Sequence, residues 1–76
     1  MEIELYPNPA NGYITIKAKT YINRIQLLDL SMSVVKEQAV NDYSQQLALN
    51  TLKQGVYFLM IDTGGSSVFR KMTLVR

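Results

Sequence analysis

The stretch LKQGVYFLMI, residues 52–61, decides the fold class of this chain. From Val56 onward it is apolar on both faces of an extended strand, which is typical of a central strand covered on both sides. We expect Tyr57, Leu59 and Ile61 to point into the core. The same alternation places a second apolar stripe on the outer face of the strand.

The outer stripe consists of Val56, Phe58 and Met60. The simpler interpretation is that neighbouring side chains cover it, because single exposed apolar groups are normal on protein surfaces. The alternative is a docking stripe for a partner or for the preceding domain of a parent protein, since contiguous exposed apolar area marks interaction sites.

The spacing of Leu52, Gly55 and Tyr57 is typical of a tyrosine corner. In this motif a tyrosine at the start of a strand returns its hydroxyl to a backbone group a few residues upstream, and a nearby glycine makes the turn. We therefore expect Tyr57 to be buried with its hydroxyl hydrogen-bonded, as buried phenols usually are. The motif is structural and favours an immunoglobulin-like sandwich.

Short alternating segments on either side of this stretch predict a chain made of strands. Turn residues separate them at Ser31-Met32-Ser33, at Asn41-Asp42 and at Gly64-Gly65. Residues 44–53 also contain reasonable helix formers, but they are short and uncapped, so we predict a strand followed by a turn. The sequence thus predicts an all-β, immunoglobulin-like antiparallel β-sandwich. It has about seven short strands: Glu2–Tyr6, Tyr13–Ala18, Ile22–Leu30, Val34–Val40, Ser44–Leu49, Gly55–Thr63 and Ser67–Arg76.

Between the first two predicted strands, YPNPANGY at residues 6–13 is an emphatic loop. Pro7 and Pro9 each remove a backbone donor, so neither can continue a central strand. Asn11-Gly12 readily supplies positive φ, and we expect a turn there.

Composition limits the chemistry that this chain can carry. Its 76 residues, 47% of them apolar, make a single domain over residues 1–76. There is no cysteine and no histidine, which removes disulfides, the commonest metal ligand and the commonest general base. Asn8, Asn11 and Asp42 lack the spacing of a calcium loop, and the acidic residues lie singly along the chain. We expect no enzymatic activity, no cofactor and no bound metal.

The net charge of +2 comes from basic residues that are scattered along the chain. Nucleic-acid-binding proteins usually concentrate such charge on one face and add stacking aromatic side chains, so no nucleic acid is expected. The longest apolar run, Val56 to Ile61, is too short to span a bilayer, so no membrane insertion is expected. Met1 directly before a strand indicates a fragment of a longer protein.

Four segments together resemble the type A C-terminal sorting domains of the type IX secretion system of Bacteroidetes, and the resemblance covers essentially the whole chain. The matching positions are Tyr6, Pro7, Asn8, Pro9 and Gly12 in the opening loop, Ile25–Asp29 in a middle strand, Leu52, Gly55, Val56 and Tyr57 at the corner, and Lys71, Leu74, Val75 and Arg76 in the last strand. Met32-Ser33 departs from the family pattern, which commonly has glycine and then a basic residue. Because methionine takes positive φ only at a cost, the type of this turn stays open.

The resemblance implies a domain at the C-terminus of a larger cargo protein, which an outer-membrane translocon recognises after the cargo has reached the periplasm. The cargo is then secreted or placed on the cell surface, in many relatives after a surface sortase removes the domain and joins the cargo to lipopolysaccharide. Any catalysis belongs to the sortase or the cargo. Recognition is expected to use surface shape and strand edges, with Lys71, Leu74, Val75 and Arg76 of the last strand as the handle. The same edges offer a route to a homodimer.

The alternative from another class is a carbohydrate-binding or adhesive β-sandwich module of a surface protein. Such a module needs two or three exposed aromatic side chains on one flat face. Tyr13, Tyr21 and Tyr43 are the residues available, and their arrangement in the folded chain separates the two hypotheses.

Overall fold

The computed structural model describes residues 2–75, and that range contains five strands and no helix. All the strand pairs are antiparallel, so the predicted all-β class is confirmed. In chain order the strands are β1 (Ile3–Tyr6), β2 (Tyr13–Leu28), β3 (Val34–Ala48), β4 (Gly55–Thr63) and β5 (Ser66–Leu74).

The prediction of seven strands is wrong, because two pairs of predicted strands are each one continuous strand. The segments on either side of residues 19–21 form β2, and those on either side of Asn41-Asp42 form β3. The breaks expected there are irregularities in the β2–β3 ladder, with register shifts around Ile22. Asn41 has a φ of 53°, a left-handed conformation that asparagine tolerates better than most residues. A bulge of this kind bends a strand without ending it.

The five strands form one sheet that is bent into a half-barrel. The first half of β2 pairs with β1 and with the second half of β3, whereas the second half of β2 pairs with the first half of β3 and with β4. β5 adds to the far side of β4. Because β2 and β3 bend together, side chains from both halves of the sheet meet in one core.

The core is built from the inward side chains of β2, β4 and β5 and the end of β3. On β4 the predicted alternation is confirmed, since Tyr57, Leu59 and Ile61 are all buried. Burying a large aliphatic side chain contributes roughly 1.5–3 kcal/mol, so this small domain depends on each of them. The largest fully buried side chains are Ile14, Ile16, Ile22, Ile25, Leu27, Leu47, Leu49, Leu59, Ile61, Met72 and Leu74.

The local turns follow the sequence signals in two further places. Gly64 and Gly65 connect β4 to β5 as a hairpin, and Gly64 has a φ of 74°. Residues 44–53 form the end of β3 and then a turn, in which the backbone N–H of Leu52 donates to the carbonyl oxygen of Leu49 at 3.1 Å. The strand-and-turn prediction for that segment is therefore confirmed.

Candidate functional site

The four residues predicted as the recognition handle have different environments. Lys71 is exposed on the outer face of β5, and Val75 just beyond β5 is 43% exposed. Leu74 is 1% exposed and packs in the core, so it stabilises the strand and has no surface to present. Arg76 lies outside the described residues.

β5 is an edge strand, since it pairs with β4 on one side only along its ladder. Its C-terminal end is fastened by the opening loop. The backbone N–H of Ala10 donates to the carbonyl oxygen of Thr73 at 2.8 Å, and the N–H of Val75 donates to the carbonyl oxygen of Ala10 at 2.8 Å. The Asn8 Oδ1 atom accepts a longer bond of 3.4 Å from the Thr73 N–H. The opening loop and the last strand, which are far apart in sequence, thus form one structural unit.

The other residues of the opening loop act mainly through the backbone. Pro7 and Pro9 are exposed, and the peptide bonds before both are cis. The expected positive φ at Asn11-Gly12 is wrong, because neither residue adopts it. Gly12 instead uses its carbonyl oxygen, which accepts from the N–H of Leu49 at 2.9 Å and ties the loop to the end of β3.

The tyrosine corner has the hydrogen bond that its spacing predicts. The Tyr57 hydroxyl donates to the carbonyl oxygen of Lys53 at 2.6 Å, and Tyr57 is 8% exposed. Gly55 has a φ of 151°, in the range that favours glycine. Leu52 is half-buried and packs against the core. These contacts fix the start of β4, on which β5 is paired.

The turn between β2 and β3 is organised by one carboxylate. Asp29 Oδ1 accepts from the backbone N–H groups of Ser31 at 2.9 Å and Ser33 at 3.0 Å, and from the Ser31 hydroxyl at 2.6 Å. These bonds hold the pKa of Asp29 below its ordinary value, with the Ser31 hydroxyl as the largest cause and the Ser33 N–H next. The acidic residue of the middle strand is therefore a structural element of the turn.

Met32 resolves the turn type that the sequence left open. It has a φ of 67°, and its N–H donates to the carbonyl oxygen of Asp29 at 2.9 Å. The chain thus keeps a left-handed residue in this turn, although this backbone conformation is more strained for a methionine than for a glycine. The Met32 side chain is 48% exposed.

A polar cluster on the outer face joins four strands. Arg24 on β2 donates from Nε at 2.9 Å and from Nη2 at 2.8 Å to Asp62 Oδ2 on β4, and from Nη1 at 3.0 Å to Glu37 Oε2 on β3. The Ser67 hydroxyl on β5 donates to Asp62 Oδ1 at 2.6 Å. The pKa of Asp62 is lowered, first by the Ser67 hydroxyl and then by Arg24. The cluster links side chains of four strands on the exposed face of the sheet.

The outer stripe of β4 is partly covered. Val56, Phe58 and Met60 are each half-buried between the neighbouring strands. Phe69, which lies opposite Met60 on β5, is 44% exposed, and Val34 at the start of β3 is 50% exposed. The stripe is therefore accessible mainly at its margins.

The tyrosines needed for the carbohydrate-binding alternative do not form one platform. Tyr13, Tyr21 and Tyr43 are about half exposed. Tyr21 and Tyr43 pack edge to face at the bend of the sheet, with ring centroids 5.5 Å apart and ring planes at 84°. Perpendicular rings stabilise each other, but they do not present the flat surface on which a sugar ring stacks.

Within residues 2–75, no three carboxylate, histidine or cysteine side chains come together in a group that could hold a metal ion. The same range contains no helix that is long and apolar enough to cross a membrane. Asp42, considered above as an oxygen ligand, accepts at Oδ1 from the N–H of Tyr43 at 2.6 Å. Asn8 is engaged with β5 as described.

One protein-family model matches nearly all of the described chain. The model of the family described as the secretion system C-terminal sorting domain matches residues 4–75. This match reaches into all five strands and includes the opening loop, the tyrosine corner and the fastened last strand. A comparison with curated proteins finds no match. The chain therefore belongs to the family of C-terminal sorting domains of the type IX secretion system.

Proposed function

We propose that an outer-membrane translocon recognises this folded domain and thereby exports a cargo that precedes it in the same polypeptide. Membership of the family implies a sorting signal, contact with the type IX machinery in general, and export to the medium or the cell surface. The proposal adds the route, which runs through the periplasm, and the recognising component.

The observation that carries the proposal is the fastened edge strand. β5 presents one unpaired edge, while the opening loop holds its end through Ala10 and the tyrosine corner holds its neighbour β4. A strand edge in a fixed position offers backbone groups that a partner can pair with. Lys71 and Val75 flank that edge with exposed side chains of different chemistry.

The later fate of the domain is a second part of the proposal. After export, a cell-surface sortase removes the domain and attaches the cargo, and the domain has no enzymatic activity of its own. The host is a member of the Bacteroidetes, and the single bent sheet corresponds to the immunoglobulin-like sandwich expected of the family, with β2 and β3 each taking the place of two short strands. Isolated domains pair into homodimers through their free edges.

A reporter assay tests the proposed function. A fluorescent reporter with an N-terminal export signal is fused to residues 1–76 and expressed in a host that has the secretion system. We expect the reporter in the medium or on the surface, whereas the reporter without the domain stays in the periplasm. Equal secretion of the fusion by an otherwise identical strain that lacks the translocon would exclude this role.

A further inference from the structure

The free edge of β5 has a defined set of backbone groups. Thr73 and Val75 use groups on the side away from β4, because both bond to Ala10. Along an antiparallel strand, residues whose N–H and C=O face the neighbouring strand alternate with residues whose groups face away. Phe69 and Lys71 share the parity of Thr73, so their backbone groups point to the free edge.

The outward edge of β5 is open along most of its length. In the described part of the chain, the loop residues Asn8 and Ala10 bond to its C-terminal end, and no strand pairs with the rest. At Arg70 the strand borders a cleft of about 620 Å³ whose other walls are residues 2–4 around the start of β1 and residues 17–19 of β2. The open stretch from Ser67 to Lys71 is about 17 Å long at roughly 3.4 Å per residue. It is long enough for a short extended peptide.

The side chain of Arg70 covers part of the open stretch. This side chain lines the cleft, and its Nη1 atom donates to the carbonyl oxygen of Phe69 at 3.0 Å. Charged side chains placed over a free edge keep it from pairing at random with other strands. An incoming strand has to take the Phe69 carbonyl from Arg70, which leaves the guanidinium available for a new acceptor.

The charges of the cleft favour an acidic occupant. Its charged residues are Glu2, Glu4, Lys17, Lys19 and Arg70. Lys19 Nζ pairs with Glu2 Oε1 at 2.6 Å on the exposed rim of the cleft. The five residues together carry a net charge of +1, because three are basic and two are acidic. An acidic side chain on the added strand would balance this excess.

Starting from the proposed function, we propose that the edge of β5 between Ser67 and Lys71 receives an extended acidic segment of the secretion machinery by β-strand addition. Arg70 leaves the Phe69 carbonyl and pairs with a carboxylate of that segment. Backbone hydrogen bonds then supply affinity, and the charged pair supplies selectivity. A strand without an acidic side chain displaces Arg70 from its acceptor and gives it no other.

Secretion of the reporter fusion by two matched pairs of variants tests this inference. Phe69→Pro removes an outward backbone N–H, which an edge position tolerates, whereas Phe69→Ala removes the same side chain and keeps the N–H. Phe69→Pro is expected to be secreted at least tenfold less than Phe69→Ala. Arg70→Glu is expected to lose at least tenfold in secretion, whereas Arg70→Lys keeps most of the wild-type level. Equal secretion within either pair overturns the inference.

Amide hydrogen exchange on the purified wild-type domain, at a dilution where it is monomeric, is independent of the variants' stability. We expect the amides of Phe69 and Lys71 to exchange fast and those of Arg70 and Met72 to exchange slowly. Slow exchange at Phe69 and Lys71 would mean that the edge is already occupied, and would also overturn the inference. A wild-type fusion that is not exported through the machinery refutes the proposed function and this inference with it. A secreted wild type with equal variants refutes the inference alone.

Discussion

Replacing Gly55 by alanine should destabilise the domain, whereas the same change at Gly12 should not. At both positions a Cβ would meet no atom within 4 Å, so neighbouring groups do not oppose either change. The difference lies in the backbone, because Gly55 has a φ of 151° and Gly12 is outside the positive range. Holding a residue that has a Cβ in such a conformation costs of order 1–3 kcal/mol.

Gly55→Ala is therefore expected to lower the free energy of unfolding by about 2 kcal/mol. For a domain of this size, that corresponds to a fall of roughly 8–16 °C in the melting temperature. Gly55→Val should cost more, since a β-branched side chain is disfavoured further at positive φ. Gly12→Ala should leave the melting temperature unchanged or raise it by a few degrees, because alanine reduces the entropy of the unfolded chain.

Thermal melts of the purified wild type and the three variants, followed by far-UV circular dichroism, measure these differences. Gly12→Ala is the matched control, because it adds the same methyl group into open space. Equal melting temperatures for Gly55→Ala and Gly12→Ala would contradict the expected strain at Gly55. They would mean that the turn into β4 accepts a side chain and that the φ of Gly55 does not limit the stability of the corner.

Three further predictions concern the tyrosine corner, the lowered pKa values of two aspartates and the basic residues of the last strand. Tyr57→Phe removes the hydroxyl that bonds to the Lys53 carbonyl and should lower the unfolding free energy in urea by about 1 kcal/mol, and an unchanged midpoint would argue against the corner. The pKa values of Asp29 and Asp62 are lowered by folding, so their stabilisation is present above the unfolded pKa and is lost as the pH falls through the folded values. The melting temperature of the wild type should stay flat from pH 7 to 5 and fall below about pH 4, and the fall should be less steep in Asp62→Asn. Identical pH profiles of the wild type and Asp62→Asn would contradict this expectation. Lys71→Ala combined with Arg76→Ala should stay folded, within about 0.5 kcal/mol, yet leave its cargo in the periplasm, and wild-type secretion would show that the basic groups are only solvated.

Local patterns predicted the parts of the fold that local forces decide. The bounds of β4 coincide with the predicted strand, because an apolar run bounded by glycines has only one favourable extended segment. The corner hydrogen bond of Tyr57 spans four residues, so its spacing is visible in the sequence. The Gly64-Gly65 hairpin is likewise a matter of backbone freedom at adjacent residues.

The sequence could not predict features that depend on distant pairing. Asn41-Asp42 has the composition of a turn, but the register against β2 keeps it inside β3. Arg24 and Asp62 are 38 positions apart, and nothing in either segment shows that they lie opposite each other on neighbouring strands. The bond between Ala10 and β5 is equally invisible, since it is made by backbone atoms.

At the candidate site, too, some features were predictable from the sequence and others were not. The last strand, on which the recognition handle was expected, lies at an edge of the sheet as β5. Leu74 was grouped with the handle, although it shares its parity with Met72 and both are buried, so the alternation itself contained the signal against it. The hydrogen bond from Arg70 to the Phe69 carbonyl could not be predicted, because a guanidinium over a neighbouring carbonyl has no sequence pattern.

The most direct test of the proposed sorting function is the fraction of the reporter fusion found outside the outer membrane, measured in parallel in a strain with the type IX translocon and in one without it. We propose that the domain contains the sorting information in its fold and its edge strand. We therefore predict at least a tenfold higher outside fraction in the strain that has the translocon, with the remainder of the fusion in the periplasm of the other strain. The same outside fraction in both strains would contradict the proposed sorting function.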